Sequence, residues 1–193
     1  MNRIVPILAL ALIALLPNGN AGAQVPPPPT PSPDPHVYSD PAMTFTAPAD
    51  AYLIGRRVVP IAQLGSDLEP VAIWVMHPGK DDMRTITIAM ESFTGAPNQW
   101  EGQFESQMHS AGGEGVLIRK KTSMSLLNGM PASFVEVTSG SGFTSKKQFA
   151  VVWADGQRGI TLSLACRLGD VGPDEALAAL KNVTAVRYPE EAP

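Results

Sequence analysis

Apolar and polar positions alternate with a period of two across residues 134–166, and three strands are expected there. Residues 134–138 are rich in β-branched and aromatic side chains and break at Ser139-Gly140-Ser141-Gly142. Residues 143–153 run to Ala154-Asp155-Gly156, and 160–166 close the unit. Asp-Gly between apolar runs predicts a hairpin with a type I′ turn, which needs positive φ at both central positions. Successive side chains of a strand point to opposite faces. One face carries Phe149, Val151 and Trp153, then Ile160, Leu162, Leu164 and Cys166. The other carries Gln148, Ala150 and Val152, then Thr161, Ser163 and Ala165. This second face is small and mildly polar, so partial cover by a helix is expected.

The same alternation predicts strands at 43–46, 52–61, 71–76, 84–92 and 116–126, with 71–76 and 84–92 paired across the turn at Pro78-Gly79-Lys80-Asp81-Asp82. Between them the period changes. Trp100, Phe104 and Met108 recur every four residues, one face of an amphipathic helix. Asn98 and Glu101 have capping-box spacing, and Ala111-Gly112-Gly113 ends the run. Asn128-Gly129 turns the chain into the three-strand unit. Gly172-Pro173 opens a second helix, with Asp174 and Glu175 in its favoured first turn. Ala176, Leu177 and Leu180 form its inner face, Lys181 and Asn182 suit its end, and 183–188 is expected as a last short strand or an extended segment. The expectation is an α+β fold: a largely antiparallel sheet of about six to seven strands, with two main helices at about 97–111 and 173–182.

The N-terminus follows another logic. Arg3 precedes the apolar run Ile4 to Leu16, which is too short to span a bilayer comfortably. Pro17-Asn18-Gly19 and Ala21-Gly22-Ala23 follow, the pattern of a secretory signal peptide cut after Ala23. The segment 24–36 holds seven prolines and is expected to be an extended linker. The organisation expected is a signal peptide at 1–23, a proline-rich linker at 24–41, one domain at 42–188 and a tail at 189–193. Export makes the protein periplasmic or secreted, with no transmembrane helix in the mature chain.

Loss of Arg3 takes the net charge from −4 to −5. Mild acidity argues against nucleic acid as a partner. Cys166 is the single cysteine, so no internal disulfide forms, and its apolar strand predicts a buried thiol.

The order of elements and the turn Leu127-Asn128-Gly129-Met130-Pro131-Ala132-Ser133 resemble the PsbP-like family. That family includes photosystem accessory proteins, a yeast Ran-binding protein and many small exported bacterial proteins. Its G-x-x-A turn matches Gly129 to Ala132, and the likeness covers about Phe45 to Tyr188. The resemblance implies a three-layer α/β/α sandwich whose members act by binding partners. It carries over no functional residues.

Motif searching is consistent with that. His36, His77 and His109 are scattered, without the spacing of a zinc site. No G-x-S-x-G occurs, and Ser139-Gly140-Ser141-Gly142 lies in a hairpin turn rather than at a nucleophile elbow. Gly112-Gly113-Glu114-Gly115 lacks the lysine of a phosphate-binding loop. Asp81-Asp82 and Glu190-Glu191 fall in a turn and the tail, and Glu101 and Glu105 are expected on the wet side of their helix. Arg56-Arg57, Arg119-Lys120-Lys121 and Lys146-Lys147 read as protection of strand edges, or as an acidic partner's site if they gather. Trp74, Trp100 and Trp153 read as core anchors. No catalytic, cofactor-binding or metal-binding residue is assigned, and no cofactor. The leading expectation is a non-catalytic accessory protein that binds another envelope protein, with contact through the 139–145 loop or Lys146-Lys147. The alternatives are a small-molecule or lipid carrier with a cavity between sheet and helix, and a hydrolase built around His77 or His109.

Overall fold

The structure, a computed structural model, describes residues 34–112, 115–139 and 146–188. The segment read as a signal peptide, most of the one read as a linker, the loop at 140–145 and the segment read as a tail lie outside these residues.

Among the described residues, ten strands and two α-helices follow one another: β1 (Val37–Ser39), β2 (Met43–Thr46), β3 (Ala51–Arg56), β4 (Glu69–Met76), β5 (Arg84–Ser92), α1 (Pro97–Gly112), β6 (Leu117–Ser125), β7 (Pro131–Ser139), β8 (Lys146–Ala154), β9 (Arg158–Arg167), α2 (Pro173–Leu180) and β10 (Val183–Ala185). The fold is α+β and antiparallel. The main sheet has the order β3-β4-β5-β9-β8-β7-β6, and β1-β2-β10 form a second, smaller sheet. One sheet of six to seven strands was too few: the small sheet adds three. One of its two pairings joins Phe45 to Val183, too far apart in sequence for any local hairpin signal. β1 also lies inside the segment assigned to the linker, where Tyr38 is fully buried.

The main sheet separates two apolar clusters, because alternate residues of each strand face opposite ways. On one face Phe149, Val151 and Trp153 meet Ile160, Leu162 and Leu164, as the alternation predicts, and pack against Phe45, Ala176, Leu180 and Val183. The small sheet and α2 cover this face. On the other, Val135, Val137, Ala150 and Val152 pack against Trp100 and Phe104 of α1.

The Asp155-Gly156 turn corrects a second expectation. Gly156 has φ +103, but Asp155 has no positive φ, so the turn is not type I′. Ala154 pairs with Gly159, which makes a four-residue loop. Asp155 Oδ1 accepts the N–H groups of Gln157 (3.1 Å) and Arg158 (2.8 Å), while Arg158 Nε donates to Asp155 Oδ2 at 2.7 Å. Arg158 also forks onto Asp40, with Nη1 to Oδ2 at 2.6 Å and Nη2 to Oδ1 at 3.3 Å. Asp40 Oδ1 in turn accepts the Ala42 and Met43 N–H groups. All three charged side chains are 1% exposed. A buried charge persists only when paired and hydrogen-bonded. Here each partner is satisfied, and the network ties the β1–β2 loop to the β8–β9 loop. The paired carboxylates push the Arg158 pKa up against the opposing effect of burial. Tyr38, which donates to Asp40 at 3.2 Å, has its pKa raised by burial first and by Asp40 second.

Among the described residues no helix is long and apolar enough to cross a membrane.

Candidate functional site

The α1 face of the main sheet gathers the chemistry that packing alone does not explain. α1 starts one residue before the predicted cap. Ala96 O accepts the N–H groups of Gln99 (2.9 Å) and Trp100 (3.2 Å), and Gln99 Oε1 accepts the Ala96 N–H at 2.8 Å. Ala96 is therefore the N-cap, with proline at the first helical position and Gln99 reaching back from the third. Asn98 is not the cap, so Glu101 is released from that duty and turns towards the sheet.

Trp100 and Phe104 are fully buried. Trp100 lies on Gly159, where a Cβ would stand 2.4 Å from the indole ring. Its Nε1 donates to Ile160 O at 3.2 Å. Beside it, Glu91 of β5 is wholly buried and has no cation among the described residues. Two glutamines of α1 hold it: Gln103 Nε2 donates to Oε1, and Gln107 Nε2 donates to Oε2 at 2.6 Å. Burial, the largest influence, raises the Glu91 pKa above 4.5, while the two glutamines act against that rise. Gln107 Oε1 is buried with no partner among the described residues.

α1 packs on β7 and β8 but leaves the other half of this face open. Paired rows run Tyr52–Val75–Thr85–Ala165 and Gly55–Ile73–Thr87–Ser163. Ile73, Val75, Thr85 and Thr87 are half-buried, Tyr52 is 62% exposed, and neighbouring Ile54, in the β3 bulge, is 59% exposed. An apolar patch on an outer strand is costly to leave in water and marks an interaction surface.

At the first turn of α1 a groove of about 220 Å³ opens onto the ends of β6, β7 and β8. Met124, Ala132, Val152 and Trp153 supply its apolar lining, and Glu101, Asn98, Ser123 and Ser133 its polar one. Ser133 Oγ donates to Glu101 Oε2 at 2.5 Å, and Lys121 Nζ binds Glu101 Oε1. Lys121 also reaches Glu105 at 3.1 Å. Glu101 and Glu105 thus face a strand, not open water as expected. A carboxylate paired with a lysine is a poor base, so Ser133 is held rather than activated. Trp153, 1% exposed, turns its indole into the cluster on the opposite face of the sheet, where its Nε1 has no acceptor among the described residues.

The structure does not bring the histidines together. His36 lies before β1 and His109 near the end of α1, while His77 ends β4 with φ +51, a strained conformation for a non-glycine residue. The His77 ring sits between Asp82 (Nδ1, 2.6 Å) and Asp50 (Nε2, 3.4 Å). This hydrogen bond is the main reason the Asp82 pKa is lowered. With both nitrogens facing carboxylates, His77 clasps two turns and is not aimed at a nucleophile. No metal-binding cluster occurs among the described residues.

The basic groups do not gather either. Arg56 and Arg57 lie at the β3 edge and Arg119 and Lys121 at the opposite β6 edge, while Lys146 and Lys147 begin the interior strand β8. Arg57 pairs with Glu69 (2.7 Å) and Lys147 with Glu136 (2.8 Å). Cys166 is a free, buried thiol whose pKa burial pushes up to about 11, so little reactive thiolate exists near neutrality.

Of the sequence candidates, Trp74 and Trp153 anchor the larger cluster and Trp100 the smaller. Glu91 and the Tyr52–Ile54 patch were missed. A charged residue closing an apolar strand was the only local hint of the first, and nothing in the chain announced which half of the sheet α1 would cover.

No family model and no curated protein matches the chain. Among solved structures, it is similar to the crystal structure of PA94, a Pseudomonas aeruginosa protein of unknown function. The TM-score is 0.46 at 12% identity, covering 63% of this chain and 86% of that one. The likeness is too distant to assign a role.

Proposed function

We propose that this chain is a non-catalytic accessory protein of the cell envelope, which binds another envelope protein through the open half of its main sheet. The exposed Tyr52 and Ile54, beside half-buried Ile73 and Val75, carry this reading. The partner presents a complementary apolar face, since the patch offers aromatic, aliphatic and threonine side chains and few charges. Helices against both faces support the three-layer α/β/α arrangement and the PsbP-like resemblance, and with them a role in binding. The export signal at 1–23 supports the location. N-terminal sequencing of the mature protein is expected to begin at Gln24.

The carrier reading is the weaker one. A groove of about 220 Å³ is below the roughly 300–1,000 Å³ of ordinary small-molecule sites. The hydrolase reading has less support still, since His36, His77 and His109 stand apart and His77 is occupied by two carboxylates.

In vivo crosslinking tests the proposal. Wild type and a Leu127→Ser control, equally exposed but away from the patch, are expected to capture the same envelope protein, and Tyr52→Ser/Ile54→Thr to lose it. Equal capture by all three, or by none, overturns the proposal.

A further inference from the structure

The open half of the main sheet has dimensions and a border that narrow what can lie on it. Its floor is β3, β4 and β5, where Tyr52, Ile73, Val75, Thr85 and Thr87 offer apolar and hydroxyl groups and no charge. Three strands about 4.8 Å apart give a bed roughly 10 Å wide, the diameter of one α-helix. From Thr85 to Glu91 the bed is about 20 Å long, room for about thirteen helical residues. A sheet face presents side chains and no ladder groups, so an occupant must satisfy its own backbone N–H and C=O groups. A helix does this by itself and a lone extended strand does not. With α1 seated on β7 and β8, the remaining width suits one helix and not a second sheet.

The border supplies the charge. In the strand order β5-β9-β8-β7, α1 packs on β7 and β8. Gln103 and Gln107 reach from it to Glu91 on β5, so they stand on the flank of α1 that borders the open half. Glu91 is wholly buried behind them with no cation among the described residues, and Asp67 adds a second negative charge to its surroundings. Gln107 Oε1 is buried there with no partner among the described residues. A buried carboxylate without a cation is costly, and an unmade hydrogen bond adds to the cost. One ammonium or guanidinium group donates several hydrogen bonds, and it serves both Glu91 and Gln107 Oε1 once the Gln107 amide gives up its place on the carboxylate.

We propose that an amphipathic α-helix of the partner protein lies beside α1 on the open half, with its apolar face on Tyr52, Ile73 and Val75 and a lysine or arginine on its flank paired with Glu91. This rests on the reading that the open half binds an envelope protein, and it adds the form and the charge of the element that binds.

The test uses the full chain in the envelope, with the photo-crosslinking residue p-benzoylphenylalanine in place of Tyr52 or, separately, of Ile54, both well exposed. Attachment sites on the captured partner are mapped by mass spectrometry. They are expected to recur every three or four residues, as one face of a helix does, within a segment that carries a lysine or arginine. Sites at alternate residues, or a segment with neither cation, overturn the proposal. Glu91→Gln is expected to lower the crosslink yield at least about tenfold, since the partner's cation loses its counter-charge. Urea unfolding is expected to show this variant no less stable than wild type, which separates lost capture from misfolding, and the attachment spacing decides independently of it. Undiminished capture by Glu91→Gln overturns the proposal and leaves the open half as a binding face. No capture by wild type overturns both.

Discussion

On one face of the seven-stranded sheet, the small sheet and α2 bury a continuous apolar layer, and the buried Arg158 is matched by Asp40 and Asp155. On the opposite face, α1 covers one half only. There, among the described residues, the buried Glu91 has two amide donors and no cation and Gln107 Oε1 has no partner, while Tyr52 and Ile54 stand in water. The first face is built for stability. The second gives some of it up, and departures of this kind concentrate where a protein meets other molecules.

Removing the arginine is the harshest test of the sealed face. Arg158→Met leaves Asp40 and Asp155 buried without their cation, and a loss of about 3–5 kcal/mol is expected in urea unfolding. A loss below about 1 kcal/mol would show that water reaches the network, and the contrast between the faces would collapse.

Gly159→Ala probes the closest approach on the α1 face. The new methyl would stand 2.4 Å from the Trp100 ring, backed by the sheet, so the helix must shift. Overpacking of this kind costs roughly 1–3 kcal/mol. The near-ultraviolet circular dichroism of Trp100 is expected to change with it.

Glu91→Gln has the opposite sign. The Glu91 pKa is raised in the folded protein, so the protonated form is the one that burial favours. The stability tied to that form is complete below pH 4.5, the ordinary value, and is lost as pH rises through the folded value. Glutamine removes the charge at every pH. If the Gln107 amide turns over, the new amide also donates to the orphaned Oε1. A gain of roughly 1 kcal/mol is expected at neutral pH, with a flatter dependence of stability on pH. A variant less stable than wild type at pH 7 would mean that the carboxylate is welcome there and that the α1 face is matched after all.

The smallest effect belongs to the open half. Tyr52→Ser/Ile54→Thr is expected to change unfolding free energy by no more than about 0.5 kcal/mol per site, as usual for exposed positions, while removing the crosslinked partner. A large destabilisation would recast the patch as core.

Much of the scaffold was legible because its signals are local. Phe149, Val151 and Trp153 fall on one face because period two is a property of any strand, and Trp100, Phe104 and Met108 define α1 because four-residue spacing is a property of any helix. The pairing that makes the small sheet, and its strand β1, were not legible. The sheet's strands are three or four residues long and one of its pairings joins residues near opposite ends of the domain. Asp155-Gly156 misled for the same reason: its turn chemistry serves Arg158 and, through it, Asp40, 118 residues away.

The sequence by itself determined the long strands and both helices, which side of each is apolar, and that Cys166 would be buried. Those follow from the chain's own periodicity. Only the tertiary structure decided that Glu91 lies under α1 without a cation among the described residues, and that Tyr52 and Ile54 remain uncovered. These depend on where one sixteen-residue helix rests across a seven-stranded sheet, a matter of long-range packing that no local pattern encodes.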